Sequence, residues 1–238
     1  MRLDKYLVLH FGFTRNKAQY LIESGLIRVG GKLIQKASYD VDTEVIEVLE
    51  DRRVEWVSRS AMKLAGFLEQ HQDISVSETC CLDVGSSTGG FTQVLLEHGA
   101  KSVDAVDVGT DQLHRSLLDH PRVHSYEQTD IREFSSESPY DIIVCDASFI
   151  SLIVLFPAIL RFAQRETRMI LLYKPQFEVG SENLRKTGVP KDEMIVAKKM
   201  KAWEDFVLSH DCSILSKEKS SLIGEAGNQE WVYWIQKK

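Results

Sequence analysis

From residue 61 onward, short apolar runs of strand length alternate with longer segments of helical periodicity. Strands that are separated by helix-length connections pair in parallel, and a parallel sheet is covered by helices on both faces. The alternation therefore predicts an α/β fold. Strands are predicted at 79–84, 102–108, 123–126, 141–146, 168–174, 212–216 and 231–236. Helices are predicted at 60–70, 90–98, 113–118, 152–165 and 192–209.

The first 50 residues carry a different pattern, typical of a small α+β unit. Apolar residues recur at helical spacing from Leu3 to Leu7, and Thr14 is placed to cap a second helix. The segment LIRVGGKLI then alternates across two glycines, which indicates a two-residue hairpin turn. The predicted domain organisation is a first domain at 1–50, a polar linker at 51–60 and a second domain at 61–238.

Charge is distributed unevenly along the chain, whose net charge is −6. Residues 1–36 hold seven Lys or Arg and two acids, a net charge of +5, so the remainder carries −11. Arg2, Lys5, Arg15 and Lys17 fall outside the apolar stripes of the two predicted helices. A basic unit on an acidic body predicts an anionic partner, of which nucleic acid is the first choice. A solvated charged face without a partner is the alternative.

Neither a metal site nor a membrane segment is expected. The most apolar run, 149–159, is shorter than the ~20 residues that a membrane span needs and is interrupted by Ser151 and Pro157. The N-terminus lacks the pattern of a signal peptide. The cysteines show no metal-ligand spacing and are expected to be reduced and buried. These features predict a cytoplasmic protein and leave its oligomeric state open. The four cysteines are Cys80, Cys81, Cys145 and Cys212.

The segment CCLDVGSSTGGFT, residues 80–92, joins a predicted strand to a predicted helix through a glycine-rich loop. In an open α/β sheet, ligands bind at such loops, outside the carboxyl ends of the strands. The loop does not fit a dinucleotide, because Ser87 replaces the second glycine of G-x-G-x-x-G. Asp83 suits a ligand with an amino group, and acids follow the next two strands at Asp107 and Asp130. Together they predict S-adenosylmethionine in preference to NAD; a loop that binds no ligand is the alternative.

Two groups of motifs resemble known families. RLDKYL, TRNKA and LIESGLIRVGGK, within residues 2–32, resemble the S4-type RNA-binding domain. DVGSSTGGFT, together with SRSAMKL (58–64), CDASFISL (145–152), YKPQFEVG (173–180) and GNQEWVYW (227–234), resembles the FtsJ-like ribose methyltransferases, and most of all the hemolysin A (TlyA) family. The resemblance covers nearly the whole chain. It implies a Rossmann-like methyltransferase sheet, S-adenosylmethionine as cofactor, and 2′-O-methylation of cytidine in ribosomal RNA.

The same resemblance implies a Lys-Asp-Lys-Glu tetrad of catalytic residues. A ribose hydroxyl is a poor nucleophile near neutral pH, so a base must take its proton, and a lysine can do so only if burial or a neighbouring cation lowers its pKa. We expect Lys174 to be this base and Asp146 and Glu230 to orient it. Lys63 is expected to tune the base and hold the target ribose. Glu225, five residues earlier, is the alternative candidate for the glutamate of the tetrad.

Residues 176–191 form a predicted loop, which either becomes ordered over the RNA or is an ordinary solvated loop. The other expected contacts fall into two sets. Cofactor contacts are expected at Asp83, Gly85, Ser86, Ser87, Thr88, Gly89, Gly90, Phe91, Asp107, Val108, Asp130, Ile131 and Asp146. RNA contacts are expected at Arg2, Lys5, Arg15, Lys17, Arg28, Lys32, Arg59, Arg185 and Lys186. The expected partner is ribosomal RNA or a ribosomal subunit. Two alternatives stay open: an RNA-binding ribosome-assembly protein whose methyltransferase domain is inactive, and a cytolysin.

Overall fold

The computed structural model describes residues 1–224 and 226–238, with the main chain alone at Arg52. Glu225, the competing choice for Glu230, lies outside the described residues. The chain divides into two compact units, Met1–Met62 and Lys63–Lys238. The predicted linker at 51–60 stays a prediction. The helices are α1 Leu3–Phe11, α2 Arg15–Glu23, α3 Arg52–Glu55, α4 Ala61–Gln70, α5 Gly90–Glu97, α6 Arg115–Leu118, α7 Leu152–Leu160, α8 Pro175–Glu178 and α9 Glu193–Leu208, with a 3-10 turn at Ser181–Asn183. The strands are β1 Ile27–Val29, β2 Lys32–Leu33, β3 Ile46–Val48, β4 Cys80–Val84, β5 Ser102–Val106, β6 Val123–Tyr126, β7 Tyr140–Cys145, β8 Ala163–Tyr173, β9 Cys212–Lys219 and β10 Trp231–Lys237.

The first unit combines α1 and α2 with a three-stranded antiparallel sheet of order β2-β1-β3. Thr14 caps α2 as predicted, since its hydroxyl accepts a hydrogen bond from the amide of Lys17. The hairpin turns at Gly30 and Gly31, whose φ angles of +55° and +78° are those of a two-residue turn with both residues left-handed. Strand β3 was not predicted, because its three residues form a strand only through pairing with β1.

The second unit is built on a seven-stranded sheet of order β6-β5-β4-β7-β8-β10-β9. Neighbouring strands from β6 to β8 pair in parallel, but β10 is antiparallel to both β8 and β9. The expectation of a parallel sheet is therefore wrong for β10. The physical reason is that residues 220–230 alone connect β9 to β10, which is shorter than the dozen or more residues that a parallel crossover needs.

One boundary between helix and strand also differs from the prediction. Helix α7 ends at Leu160, and the chain turns into β8 at Ala163, where the sequence predicts a helix to 165. The hydroxyl of Thr167 donates to the carbonyl of Tyr140 at 2.7 Å, and Ala163 pairs with the same tyrosine in β7. These contacts with β7 favour extended backbone in a polar stretch that has no β-like local pattern.

The sheet topology brings the ends of several strands to one edge. The carboxyl ends of β4, β5, β7 and β8 meet there because these strands are parallel, and the antiparallel β10 begins at the same edge. The centre of the sheet is fully buried, with Ile143 in β7 and Leu171 in β8 both at 0 % exposure. Charged residues at this edge therefore stand on a rigid base.

Candidate active site

Four charged side chains from distant parts of the sequence meet at this edge of the sheet. Nζ of Lys174 lies 2.7 Å from Oδ1 of Asp146. Nζ of Lys63, in α4, donates to Oε2 of Glu230 at 2.7 Å and lies 3.4 Å from both carboxylate oxygens of Asp146. The structure thus brings together all four residues of the expected tetrad.

The cluster is buried, and its charges stabilise one another. The two lysines are each 6 % exposed and Glu230 is 3 % exposed. Burial lowers the pKa of Lys63, but the carboxylates of Asp146 and Glu230 outweigh it and raise that pKa above its usual value. Burial likewise raises the pKa of Asp146, yet the ammonium groups of Lys63 and Lys174 outweigh it and hold that pKa below its usual value. Lys63 and Asp146 are therefore charged near neutral pH.

The partner of Glu230 differs from the expectation. Its carboxylate contacts Lys63, whereas the sequence led us to expect it to orient Lys174. The reason is local: the residue before β10 lies within reach of α4, and Gly224 leaves space for its carboxylate. A Cβ on Gly224 would lie 2.7 Å from Oε1 of Glu230. Glu230 therefore positions Lys63, and Asp146 is the carboxylate that links the two lysines.

Lys174 has further acceptors that sequence reasoning did not single out. Its Nζ donates to the main-chain carbonyl of Asp146 and to the hydroxyl of Ser148, both at 2.9 Å. With Oδ1 of Asp146 this makes three acceptors, as many as the protons of an ammonium group. Ser148 is exposed, so its hydroxyl is the acceptor that solvent can reach. Ser148 lies within the motif CDASFISL, which was the available signal.

Asp83, the one acid in β4, is completely buried. Its Oδ2 accepts a hydrogen bond from the hydroxyl of Thr92 at 2.6 Å, while Oδ1 has no partner among the described residues. Burial raises the pKa of Asp83 to about 7, because its effect is larger than the opposite effect of the hydrogen bond from Thr92. An unpartnered buried carboxylate oxygen is costly, and a ligand ammonium group would satisfy it. Thr92, the residue that holds this carboxylate, is another one that sequence reasoning missed.

The glycine-rich loop lies between β4 and α5. Gly85 adopts a φ of +75°, and a Cβ there would lie 2.8 Å from Cα of Ala147. The space beside Gly85 is thus filled by the main chain that follows Asp146, where the sequence suggested close approach of a ligand. The expected contact residues take several environments: Ser86 and Phe91 are buried, Ser87 and Gly89 have positive φ, the carbonyl of Thr88 accepts from the amide of His114, and α5 begins at Gly90.

Asp107, just after β5, is tied to the same loop. Its Oδ2 accepts from the amide of Ser87 at 2.8 Å and its Oδ1 accepts from the amide of Gly109 at 2.7 Å. A carboxylate has about four lone-pair sites, so two remain for the hydroxyls of a ribose. The neighbouring Val108 is 70 % exposed, an apolar surface beside this carboxylate.

The expected contacts after β6 are less available. Both carboxylate oxygens of Asp130 accept hydrogen bonds from the side chain of Arg132, at 2.9 Å for Oδ1 and 2.5 Å for Oδ2. Ile131 is 4 % exposed and belongs to the apolar core. A base amino group at Asp130 would have to share this carboxylate with Arg132.

An aromatic side chain stands exposed beside the tetrad. Phe149, one residue after Ser148, is 90 % exposed and has a φ of +65°. Its ring centroid lies 5.2 Å from that of Phe177. An exposed aromatic ring at a non-glycine residue with positive φ makes Phe149 a candidate contact for a partner.

The basic residues of the first unit do not all present free charges. Lys17 is 8 % exposed, its Nζ lies 4.7 Å from the ring centroid of Phe13, and burial lowers its pKa. Arg2 is paired with Asp4 at 2.7 Å. Lys17 is therefore not free for phosphates, because the unit's own apolar residues cover it. The Arg2 side chain stays 41 % exposed beside Asp4, so its expected contact with RNA stays a prediction. Of the other expected RNA contacts, Lys5, Arg15, Arg28 and Lys32 in this unit and Arg185 and Lys186 in the second are exposed, whereas Arg59 is half-buried.

Comparison with known proteins identifies this arrangement. The profile of the FtsJ-like methyltransferase family matches residues 56–237. The chain belongs to this family. The S4 domain profile matches residues 1–46, and the expected S4 domain is thereby confirmed.

Relatives extend over almost the whole chain. The chain is similar to the 23S rRNA (cytidine-2′-O)-methyltransferase TlyA of Campylobacter jejuni, at 40 % identity over 98 % of each chain. It is also similar to the 16S/23S rRNA (cytidine-2′-O)-methyltransferase TlyA of Mycobacterium tuberculosis, at 38 % identity over 98 % of this chain and 89 % of the other. A solved structure from Streptococcus thermophilus, described as a hemolysin, has a TM-score of 0.77 and 30 % identity over 100 % of this chain and 88 % of the other. The expected likeness to the TlyA, or hemolysin A, family is confirmed, and the chain is an enzyme of the methyltransferase class.

No helix in the described ranges is long and apolar enough to span a membrane.

Proposed function

We propose that this FtsJ-like methyltransferase transfers a methyl group from S-adenosylmethionine to the 2′-oxygen of a cytidine in ribosomal RNA. The observation that supports this proposal most is the buried contact between Lys174 and Asp146, with Lys63 and Glu230 beside it at the same edge of the sheet. The named activities of the Campylobacter and Mycobacterium relatives support the substrate. A ribosomal RNA substrate would also place the enzyme in the cytoplasm.

In this proposal Lys174 is the base that removes the proton of the ribose 2′-hydroxyl. A neutral amine keeps two of its hydrogen bonds, to Oδ1 and the carbonyl of Asp146, and directs its lone pair towards the third acceptor, Ser148. That direction is the exposed one, from which a ribose can approach. Lys63 remains a cation beside the same carboxylate and is positioned by Glu230.

The residues near β4 and β5 suit the proposed cofactor. The free Oδ1 of Asp83 would accept its ammonium group, and the free lone pairs of Asp107 would accept its ribose hydroxyls. S-adenosylmethionine supplies an electrophilic methyl group and a neutral leaving group when it is bound. The contact between Gly85 and Ala147 keeps the cofactor loop against the segment that carries Asp146.

RNA is proposed to contact both units. The exposed cations of the S4 domain, such as Lys5 and Arg15, would bind phosphates without reading the sequence. Phe149 offers an exposed ring on which an unstacked base can lie, as is usual when single nucleotides of RNA are recognised.

The test is to map 2′-O-methyl groups on ribosomal RNA from cells with and without the protein, and then to restore the missing group with purified protein and S-adenosylmethionine. A Lys174→Ala protein serves as the matched negative control. We expect one or a few cytidines to lose and regain the modification. Unmodified RNA in both experiments, with tight RNA binding by the protein, would contradict the proposal and favour a ribosome-assembly protein.

A further inference from the structure

The second unit contains a cavity of about 560 Å³ that none of the proposed catalytic or cofactor residues lines. Its wall is formed by the segment that follows Lys174, by α9 and by the residues that lead into β10. The lining residues that bear on its chemistry are Pro175, Arg185, Lys191, Lys219, Asn228 and Trp231.

The sheet topology places the cavity at the same edge as the tetrad. Trp231 pairs with Tyr173 on one side and with Lys219 on the other, so the cavity lies over the adjoining ends of β8, β10 and β9. The proposed cofactor residues follow β4 and β5, on the opposite side of the tetrad in strand order. Pro175 directly follows Lys174 in the chain and Trp231 directly follows Glu230, so the cavity shares this edge of the sheet with the tetrad, although successive side chains of a strand face opposite sides of the sheet.

The cavity has a basic character. Arg185, Lys191 and Lys219 contribute to its lining, and Glu193 is the single acid among the described lining residues. Neither Arg185 nor Lys219 forms an ion pair with a residue in 1–224 or 226–238. Nζ of Lys191 donates to the carbonyl of Glu182 at 2.8 Å, so that side chain is already partly held. Two exposed, unpaired cations on a concave surface favour an anionic ligand.

The other walls suit a nucleobase. Nζ of Lys219 lies 5.8 Å from the ring centroid of Trp231, so a cation and an aromatic surface are adjacent. Asn228 is 3 % exposed, and its Nδ2 donates to the carbonyl of Gly188 at 3.2 Å. Its Oδ1 has no partner in the part of the chain that the structure describes, which leaves an acceptor for a donor brought by a ligand.

We infer that this cavity binds the nucleotide next to the methylated one in the RNA strand. Arg185 and Lys219 hold its phosphate and Trp231 contacts its base. The inference rests on the proposed function, because the cavity shares the sheet edge with the tetrad and an RNA strand whose ribose lies at the tetrad can extend along that edge. Such a contact would fix the register of the strand, so that one cytidine is presented to Lys174.

The experiment compares Arg185→Ala and Lys219→Ala with Lys101→Ala. Lys101 is an exposed lysine just before β5, at the opposite edge of the sheet. Lys101→Ala therefore removes the same charge as Lys219→Ala, but far from the cavity. Dissociation constants are measured for ribosomal RNA fragments that contain the mapped cytidine, and separately for S-adenosylmethionine. Each cavity variant should bind the RNA about tenfold more weakly, with a salt dependence reduced by about one ion, and should bind the cofactor normally.

A second measurement concerns the base. Fragments with an abasic site on either side of the cytidine are compared on wild-type protein, Trp231→Phe and Trp231→Leu. If Trp231 contacts a base, wild type and Trp231→Phe bind one of the two abasic fragments about tenfold more weakly than the intact fragment. Trp231→Leu should bind that abasic fragment and the intact fragment equally. Thermal unfolding of each variant checks that β10 is intact.

The outcomes separate the cavity from the chemistry. Methylation by wild type, together with cavity variants that bind RNA as Lys101→Ala does, would overturn the inference and leave the proposed function intact. Equal responses of all three Trp231 proteins to both abasic fragments would also overturn it. Weakened RNA binding by the cavity variants of a protein that methylates nothing would support the cavity as an RNA site and contradict the proposed function.

Discussion

The carboxyl group of Asp83 gives the sharpest prediction, because its burial lowers the stability of the fold. Asp83→Asn keeps the shape of the side chain, and the amide oxygen can still accept the hydrogen bond from Thr92. The change removes a group that must ionise inside the protein. We therefore expect the variant to be more stable than wild type at alkaline pH and similar to it at acid pH.

The sign and the magnitude follow from the pKa of Asp83, which is raised from 3.8 to about 7. Between these values the folded protein holds a proton that the unfolded chain has released, so the stability of wild type falls as the pH rises from 4 to 7. The full loss is about 4 kcal/mol above pH 7, an upper value since proteins relax around buried charges. The amide does not titrate, so its variant lacks this decrease.

The assay is urea unfolding of both proteins from pH 5 to pH 8, followed by tryptophan fluorescence. Three of the four tryptophans, Trp203, Trp231 and Trp234, lie in the second unit, so the signal reports on the sheet that contains Asp83. Asp119→Asn, at an exposed carboxylate, is the control and should show no such difference. A free-energy difference between Asp83→Asn and wild type that is the same at pH 5 and pH 8 would refute the reasoning.

The same substitution should weaken cofactor binding. The proposed ammonium contact needs the ionised carboxylate, so we expect Asp83→Asn to lose about 1.5–3 kcal/mol of affinity for S-adenosylmethionine. In wild type at pH 6, binding should release a proton from Asp83, which calorimetry in buffers of different ionisation enthalpy would detect. Equal affinities and no proton release would show that the free oxygen of Asp83 faces no ammonium group.

Three further predictions concern the other charged groups. Lys174→Arg and Lys174→Ala should both abolish methylation while RNA and cofactor still bind, since a guanidinium group cannot accept the proton; normal single-turnover rates in Lys174→Arg would exclude the lysine as base. Ser148→Ala should lower kcat by about tenfold with little change in KM for RNA, because the Ser148 hydroxyl is the acceptor on the open side of Lys174. Ser148→Thr keeps a hydroxyl and should restore most of the lost kcat. An equal loss of kcat in both variants would argue for steric disruption. In the S4 domain, Lys5→Ala and Arg15→Ala should each reduce the salt dependence of RNA binding by about one ion. Lys17→Met should leave that salt dependence unchanged and should stabilise the domain, because Lys17 is buried. A reduced salt dependence in Lys17→Met would mean that the buried lysine reaches a phosphate.

The sequence could predict those features that arise from local pattern. The alternation of apolar runs gave the α/β class and most strands, and Thr14 and the Gly30-Gly31 turn were identifiable because capping and turn geometry depend on a few adjacent residues. The four tetrad positions came from the family resemblance, and the structure then brought them together.

Tertiary structure decided what depends on residues far apart in the chain. Pairing with β7 turned Ala163 into a strand residue, and β10 took its place between β8 and β9, a position that its own residues do not specify. Partners of charged groups were equally undetermined: Glu230 reaches Lys63, Lys17 is covered, and Asp83 keeps one oxygen without a partner. The physical reason is that hydrogen-bond partners and desolvation are set by which elements pack together, and no local pattern of residue types encodes that packing.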